Sequence, residues 1–316
     1  TMEFIIKIPY NSSYLSGILH YPKTGIVGKE VKSLETLFSD SDELVIFVHG
    51  LGAHKNSRNF MPSLAASITK ISLRFDFPGC GESPGEFSLS YYAESDVLLH
   101  VIKYFQELPW NVKKFSLVGH SKGTNITLLT IARLAIMACS PLPDNISSVI
   151  GDHKKDVIPC SILPSFPLHL HSACFICGRY DMTVTPEDRY SPAQRADLTR
   201  QGWFLHSFRK DSVVRVTREM LIEKEILRVG NMARIVRHLT DEKEIQFKRS
   251  GFILESCAVL HHAHDDVIPF EDGVKLSKDL GVVCNRIEGK SRIPHCFVGL
   301  FEKVADILEL CITKRI

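Results

Sequence analysis

The segment Phe115-Ser116-Leu117-Val118-Gly119-His120-Ser121-Lys122-Gly123 joins an apolar run to a long apolar helical pattern through a Gly-x-Ser-x-Gly pentapeptide. Only a tight turn links a strand to a helix in so few residues. A serine at its apex is held in strained backbone geometry with its hydroxyl projecting. Gly119 and Gly123 leave no Cβ where neighbouring backbone must come close. The chemistry implied is nucleophilic attack by Ser121. A serine hydroxyl is a weak nucleophile near neutral pH, so it needs an adjacent base, and the base needs an orienting acid.

In a sheet of this kind the expected chain order is Ser, then Asp or Glu, then His. Downstream of Ser121, His261-His262-Ala263-His264-Asp265-Asp266-Val267-Ile268-Pro269 begins where an apolar strand ends. Asp265 is the expected acid, because it comes first after the strand while Val267 and Ile268 can pack back to anchor the turn. Asp266 is the alternative. Gly178-Arg179-Tyr180-Asp181-Met182 also follows a strand and makes Asp181 a rival one strand earlier. Ile293-Pro294-His295-Cys296-Phe297 places His295 in a loop before the closing helix, where its imidazole can reach Ser121 as the base. The developing oxyanion needs two preorganised donors. The backbone N–H of Lys122 and that of Leu51, in His49-Gly50-Leu51-Gly52, are the expected pair. Gly50, His120 and Trp203 are the candidate substrate contacts. His261, His262 and His264 beside two Asp raise the question of a metal, but residues alternating along a strand end face opposite ways, so no metal is expected. Cys174-Phe175-Ile176-Cys177 lacks a second pair at zinc spacing and reads as core.

The surrounding elements must carry these residues to one place. Glu3–Pro9 and Tyr14–His20 read as an antiparallel hairpin. Leu44–Val48, Ile71–Phe75, Phe115–Val118, Ser172–Cys177, Cys257–His261 and Val282–Ile287 read as strands, mostly continuous in apolar character, as parallel strands buried on both faces are. Helices are expected over Ser57–Lys70, Leu89–Leu108, Lys122–Met137 and Phe297–Cys311. This alternation gives an α/β fold with a doubly wound, mostly parallel sheet. Residues 1–185 and 251–316 form the expected core. Residues 140–171, broken by five prolines, read as a long Pro-rich excursion within it. Residues 186–250 read as an inserted helical lid with helices near Thr217–Val229 and Met232–Leu239. Lys and Arg there number fourteen against ten Asp and Glu, which alone suggests no more than a solvated face.

Composition excludes several classes. A formal net charge of +2 gives no reason to expect nucleic acid as a partner. No apolar run reaches the roughly 18 residues of a membrane helix, so no stable membrane insertion is expected. The nine cysteines are odd in number and scattered. With an N-terminus lacking the pattern of a secretory leader, they suggest reduced thiols and a cytoplasmic location. Two glycosylation sequons, at Asn11 and Asn145, are weak without such a leader. Nothing in the sequence assigns an oligomeric state.

His49-Gly50-Leu51-Gly52, Arg74-Phe75-Asp76-Phe77-Pro78-Gly79-Cys80-Gly81-Glu82-Ser83, Gly119-His120-Ser121-Lys122-Gly123, Gly178-Arg179-Tyr180-Asp181-Met182, Asp265-Asp266-Val267-Ile268-Pro269 and Pro294-His295 together resemble the α/β-hydrolase family. They are most similar to its serine aminopeptidase and monoglyceride lipase-like branch, including plant and protist esterases akin to feruloyl and cinnamoyl esterases. The resemblance implies an eight-stranded sheet, a helical lid after the sixth strand and no cofactor. Thr124 departs from the family pattern, which usually has a second glycine there, and His261-His262 stands where His-Gly is common. The expected function is a serine hydrolase cleaving esters of short to medium acyl, lipid-like or aromatic character. The alternatives are an acyl-protein thioesterase, an aminopeptidase with Glu187 or Asp188 binding the substrate amine, and a small-ligand receptor that retains the triad.

Overall fold

Continuous apolar strands separated by amphipathic helices have few ways to bury every apolar face, and the computed structural model shows the one adopted. It describes residues 2–22, 38, 42–109, 112–138, 167–183, 189–209, 212–240 and 251–313. The expected excursion over 140–171 falls largely outside these residues, as do Asn145, Glu187 and Asp188. Strands β1 (Met2–Tyr10), β2 (Ser13–Tyr21), β3 (Glu43–Val48), β4 (Ser72–Phe75), β5 (Lys114–His120), β6 (Leu168–Ile176), β9 (Phe252–His262) and β10 (Cys284–Ile287) form one eight-stranded sheet in the order β1-β2-β4-β3-β5-β6-β9-β10. The β1–β2 and β2–β4 pairings are antiparallel and the others parallel. The fold class expected from the sequence is the fold observed.

Helices cover both faces. Helices α1 (Phe60–Ser67) and α8 (Phe301–Ile312) pack on one, with Leu64, Val304 and Leu308 fully buried there. Helices α2 (Tyr91–Glu107), α3 (Lys122–Ala138), α6 (Val229–Thr240) and α7 (Phe270–Leu280) cover the other. Two boundaries differ from the sequence reading. The first helix begins at Phe60, not Ser57, because Arg58 and Asn59 adopt left-handed backbone at φ 50° and 54°. The last begins at Phe301, not Phe297. Pro294–Cys296 form a 3-10 turn and Phe297 is left-handed at φ 51°, which redirects the chain and leaves His295 at the loop's inner side.

The segment between β6 and β9 is not uniformly helical. It holds α4 (Pro192–Gln201), a two-stranded antiparallel sheet of β7 (Trp203–Arg209) and β8 (Ser212–Thr217), then α5 (Arg218–Ile226). Alternation such as Val214 and Val216 inward, Val213 and Arg215 outward makes the hairpin, and the charged residues mask it in the sequence. Helix α6 then buries Val229, Met232, Ala233, Ile235 and Val236 in the main core rather than above it. Glu223 of α5 ties the segment to the core. Its carboxylate accepts from Ser90 Oγ (2.8 Å) and from the N–H groups of Tyr91 (2.5 Å) and Tyr92 (3.2 Å) at the N-terminus of α2, where a negative charge meets unpaired N–H groups and the favourable helix dipole.

Below the site, two loops are fastened by a buried cation. Lys55 Nζ lies 2.6 Å from Asp76 Oδ2, 2.6 Å from Glu82 Oε2 and 3.0 Å from Ser16 Oγ. Lys55 and Asp76 are 2% and 0% exposed. Removing one member of such a pair leaves an uncompensated buried charge. Lys55→Met is therefore expected to lower unfolding stability by about 3–5 kcal/mol, read from urea unfolding beside the parent protein.

Candidate active site

The parallel register brings the carboxyl ends of five strands to one rim. Val48 of β3 pairs with Gly119 of β5, His120 with Ile176 of β6, Ile176 with Leu260 of β9, and His262 with Ile287 of β10. The chain leaves β5 through Ser121, whose backbone is left-handed at φ 58°. Such geometry is costly for a residue with a Cβ and persists only where its surroundings impose it. Here Ser121 N–H donates to Ile176 O at 2.8 Å, and Thr124 N–H donates to Ser121 O at 3.0 Å. The turn also demands close backbone approach. A Cβ on Gly123 would stand 2.1 Å from Val48 O, and one on Gly119 would stand 2.5 Å from Gly123 O. A Cβ on Gly50 would lie 2.9 Å from Ser121 Cβ, so the loop after β3 passes directly beside the serine.

Thr124, the departure from the family pattern, lies where β6 leaves the sheet. Its hydroxyl sits 2.8 Å from both Gly119 O and Ile176 O and accepts from Ile176 N–H at 3.0 Å. Across from it, a Cβ on Gly178 would come within 2.3 Å of Thr124 Cγ2.

His295 Nδ1 donates to Asp265 Oδ2 at 2.8 Å, and the Asp265 side chain is 0% exposed. His261 Nε2 lies 3.4 Å from the same oxygen. The other oxygen, Oδ1, accepts from Val267 N–H (2.8 Å) and Ile268 N–H (2.9 Å). The turn is thus anchored through these two amides. The Ile268 side chain packs back as expected, but that of Val267 is exposed. Burial opposes ionisation of Asp265, but the hydrogen bonds from His261 and His295, the His295 charge and the Ile268 amide outweigh it and hold the carboxyl well below its usual range. Asp266 is exposed. Asp181 is exposed too, and its Oδ1 serves its own turn through Thr183 N–H (3.1 Å) and Oγ1 (2.6 Å).

Ser121, His295, Leu51, Lys122, Gly50 and His120 all line one cavity of about 580 Å³, within the range of small-molecule sites. The Ser121 hydroxyl and the His295 imidazole open on this cavity without a hydrogen bond between them; such bonds often tighten only with substrate in place. His120 supports rather than faces the reacting groups. Its Nε2–H donates to His295 O at 2.8 Å, and burial followed by the His295 charge pushes its pKa down to about 3, which keeps the ring neutral. His49 steadies the loop after β3, donating from Nδ1 to Gly50 O (3.0 Å) and accepting at Nε2 from Phe77 N–H (3.2 Å). Trp203 does not line the cavity. It lies in β7 with the Arg215 guanidinium 4.4 Å from its ring centre.

The cavity also gathers Arg179, from the Gly178–Met182 motif but with no role read for it there, and residues that no motif announces: Tyr91, Arg189, His206 and Lys224. The Lys122 side chain forms a buried ion pair with Glu94 at 2.8 Å, and burial pushes the Glu94 carboxyl up despite that partner. Among the described residues two side-chain groups have metal-capable spacing, His169 with His171 and Glu255, and Cys177 with Asp265 and His295. In the first, Glu255 already accepts from both imidazoles. In the second, burial raises the Cys177 thiol well above its usual range, with the Asp265 charge adding to the effect, so it stays protonated. His261, His262 and His264 do not converge; His261 Nε2–H donates to Ile268 O (3.0 Å), while His262 Nδ1 accepts from His264 N–H (3.0 Å). The seven cysteines described are all free, and no helix among the described residues is long and apolar enough to cross a membrane.

The family described as alpha/beta hydrolase fold matches residues 43–168. No curated protein sequence matches the chain. Among solved structures, the chain is similar to ferulic acid-bound Est1E from Butyrivibrio proteoclasticus, at 16% identity with TM-score 0.62 and 98% of each chain covered. A putative hydrolase from Agrobacterium vitis S4 aligns at 18% identity with TM-score 0.60, again over 98% of each chain. Mouse alpha/beta hydrolase domain-containing protein 10 aligns at 14% identity with TM-score 0.54, covering 99% of this chain and 100% of that one. Similarity at this level of identity speaks for the architecture. The eight-stranded sheet, the glycine-flanked Ser121 turn and these alignments give the chain the architecture of the α/β-hydrolase fold, whose family model it matches over residues 43–168.

Proposed function

We propose that the protein is a serine hydrolase that cleaves carboxylic esters through an acyl-enzyme, with Ser121 as nucleophile, His295 as general base and Asp265 as its orienting acid. The observation that carries this reading is the 2.8 Å hydrogen bond from His295 Nδ1 to a carboxylate buried from solvent, at the rim where Ser121 is held in left-handed backbone. With Nδ1–H committed to Asp265, the lone pair of a neutral His295 is on Nε2, the atom able to take the serine proton. The Ser121 oxygen attacks the ester carbonyl as His295 accepts the proton. The Leu51 and Lys122 backbone N–H groups stabilise the oxyanion. Its collapse expels the alcohol, which leaves with the proton from His295. Water, activated by the same imidazole, then releases the acid and restores the serine.

The apolar lining supports the ester reading. An aminopeptidase needs a carboxylate to hold the substrate amine; none lines the cavity among the described residues, and Glu187 and Asp188, the candidates for that role, lie outside them. Leu51, Phe60, Met61, Leu89, Met220 and Leu221 supply apolar wall for an acyl or aromatic group. Esterases are among the solved structures that the chain is similar to, the Pyrococcus furiosus esterase Pf2001 one of them. This agrees with ester chemistry at the level of the fold.

Ser121→Ala is expected to reduce kcat for 4-nitrophenyl butyrate by on the order of 10⁴-fold or more and to abolish fluorophosphonate labelling, followed by mass spectrometry of the Ser121 peptide. Parental turnover in that variant would refute the assignment. Asp265→Asn should reduce kcat by on the order of 10⁴-fold, whereas Asp181→Asn and Asp266→Asn should stay within about threefold of the parent, because neither carboxylate reaches His295. Steady-state kinetics of the three variants separates the candidate acids.

A further inference from the structure

The cavity wall is one-sided in charge. Arg58, Arg179, Arg189, Lys224 and Lys122 line it, and no acidic residue does among the described residues. Three acids nearby have partners of their own. Glu94 holds Lys122 (2.8 Å), Glu223 holds the N-terminus of α2, and Asp181 points its Oδ1 at Thr183. Among the described residues no ion pair reaches Arg58, Arg179 or Arg189. Arg179 donates from one guanidinium nitrogen to Val267 O at 2.9 Å, which fixes its position without neutralising it. Lys224, half-buried on α5, is pulled down to about 8 by burial and then by the charges of Arg179 and Arg189, with Glu225 and Asp181 acting in the opposite sense. The same two guanidinium groups act on the Tyr91 hydroxyl, and Arg189 on His206. Cations crowded into a partly dry concavity repel one another, and an anion placed among them relieves that repulsion through charge-assisted hydrogen bonds.

We propose that the substrate is an ester carrying an anionic group, a carboxylate or a phosphate, seated against Arg179, Arg189 and Lys224 while its carbonyl lies at Ser121. The inference rests on the hydrolase reading above and narrows it. The anion takes no part in bond breaking: water and the ester become acid and alcohol, and the charged group is retained. Its role is to orient the carbonyl, so discrimination shows in kcat/KM.

The test uses matched pairs that differ only in one charge. Mono-4-nitrophenyl adipate is compared with its methyl-capped diester for an anion on the acyl side, and 4-carboxyphenyl butyrate with its methyl ester for one on the alcohol side. In at least one pair the anionic member is expected to be preferred by about tenfold or more in kcat/KM at low salt, and added sodium chloride should shrink the ratio. A phosphate-ended analogue of the better substrate tells which anion is favoured. Arg189→Gln and Lys224→Gln should bring the ratio toward one, while Arg189→Lys, which keeps the charge, should retain most of it. Equal or greater preference for the neutral member in both pairs overturns the proposal. If no ester is turned over and Ser121 is not labelled, the hydrolase reading falls by itself. Calorimetric binding of adipic acid monoanilide against its methyl ester then decides the anion proposal separately, tighter binding of the acid supporting it and equal binding overturning it.

Discussion

A carboxylate without exposed surface governs the site. An ionised group taken out of water is tolerated only where the chain supplies donors to replace the lost hydration. For Asp265 those donors are the imidazoles of His295 and His261 and the amides of Val267 and Ile268. One side chain therefore fixes the loop after β9 and the loop after β10 together. The requirement reaches further on each side. His120, directly before the serine, holds the carbonyl of His295, so three strand ends are coupled through two histidine rings. The Cys177 thiol stays neutral beside the same carboxylate, its burial the larger cause.

The second organising pattern is how charge is distributed with depth. Beneath the rim, cations are matched: Lys55 to Asp76 and Glu82, Lys122 to Glu94, Arg133 to Asp96. These pairs hold loops and helix starts where apolar packing alone would leave the backbone loose. At the rim, among the described residues, no ion pair reaches Arg179 or Arg189. Arg179, Arg189 and Lys224 come from separate parts of the chain, after β6, before α4 and on α5, and meet only when the fold is complete. The hairpin β7–β8 and helix α5 complete that wall, and Glu223 holds them against α2.

That history explains what the sequence discloses. The turn at Ser121 is legible because its constraint is local: a strand, two glycines at fixed spacing and a helix. Strand ends and chain order narrow the choices to Asp265 and His295 from sequence; in the fold the two are hydrogen-bonded to each other, and His295 and Ser121 line the same cavity. Trp203 looked like a substrate contact because a large aromatic in a presumed lid needs something to cover. It belongs instead to a small hairpin whose alternation is masked by arginines and histidine. The cationic wall left almost no trace. A mild excess of Lys and Arg over 186–250 also describes a solvated surface, and only the path of the chain distinguishes the two. The αL residues Arg58 and Phe297 likewise shortened two helices whose apolar spacing continued beyond them.

Thr124 and Gly178 share one small volume between the start of α3 and the end of β6. The methyl group of the first occupies the space that any side chain at the second would need. A larger residue at 178 needs a smaller one at 124, and a smaller one at 124 gives up the hydroxyl that bridges Gly119 O and the backbone of Ile176. The two positions, far apart in the chain, are therefore energetically coupled, and the cost of a side chain at 178 depends on what stands at 124.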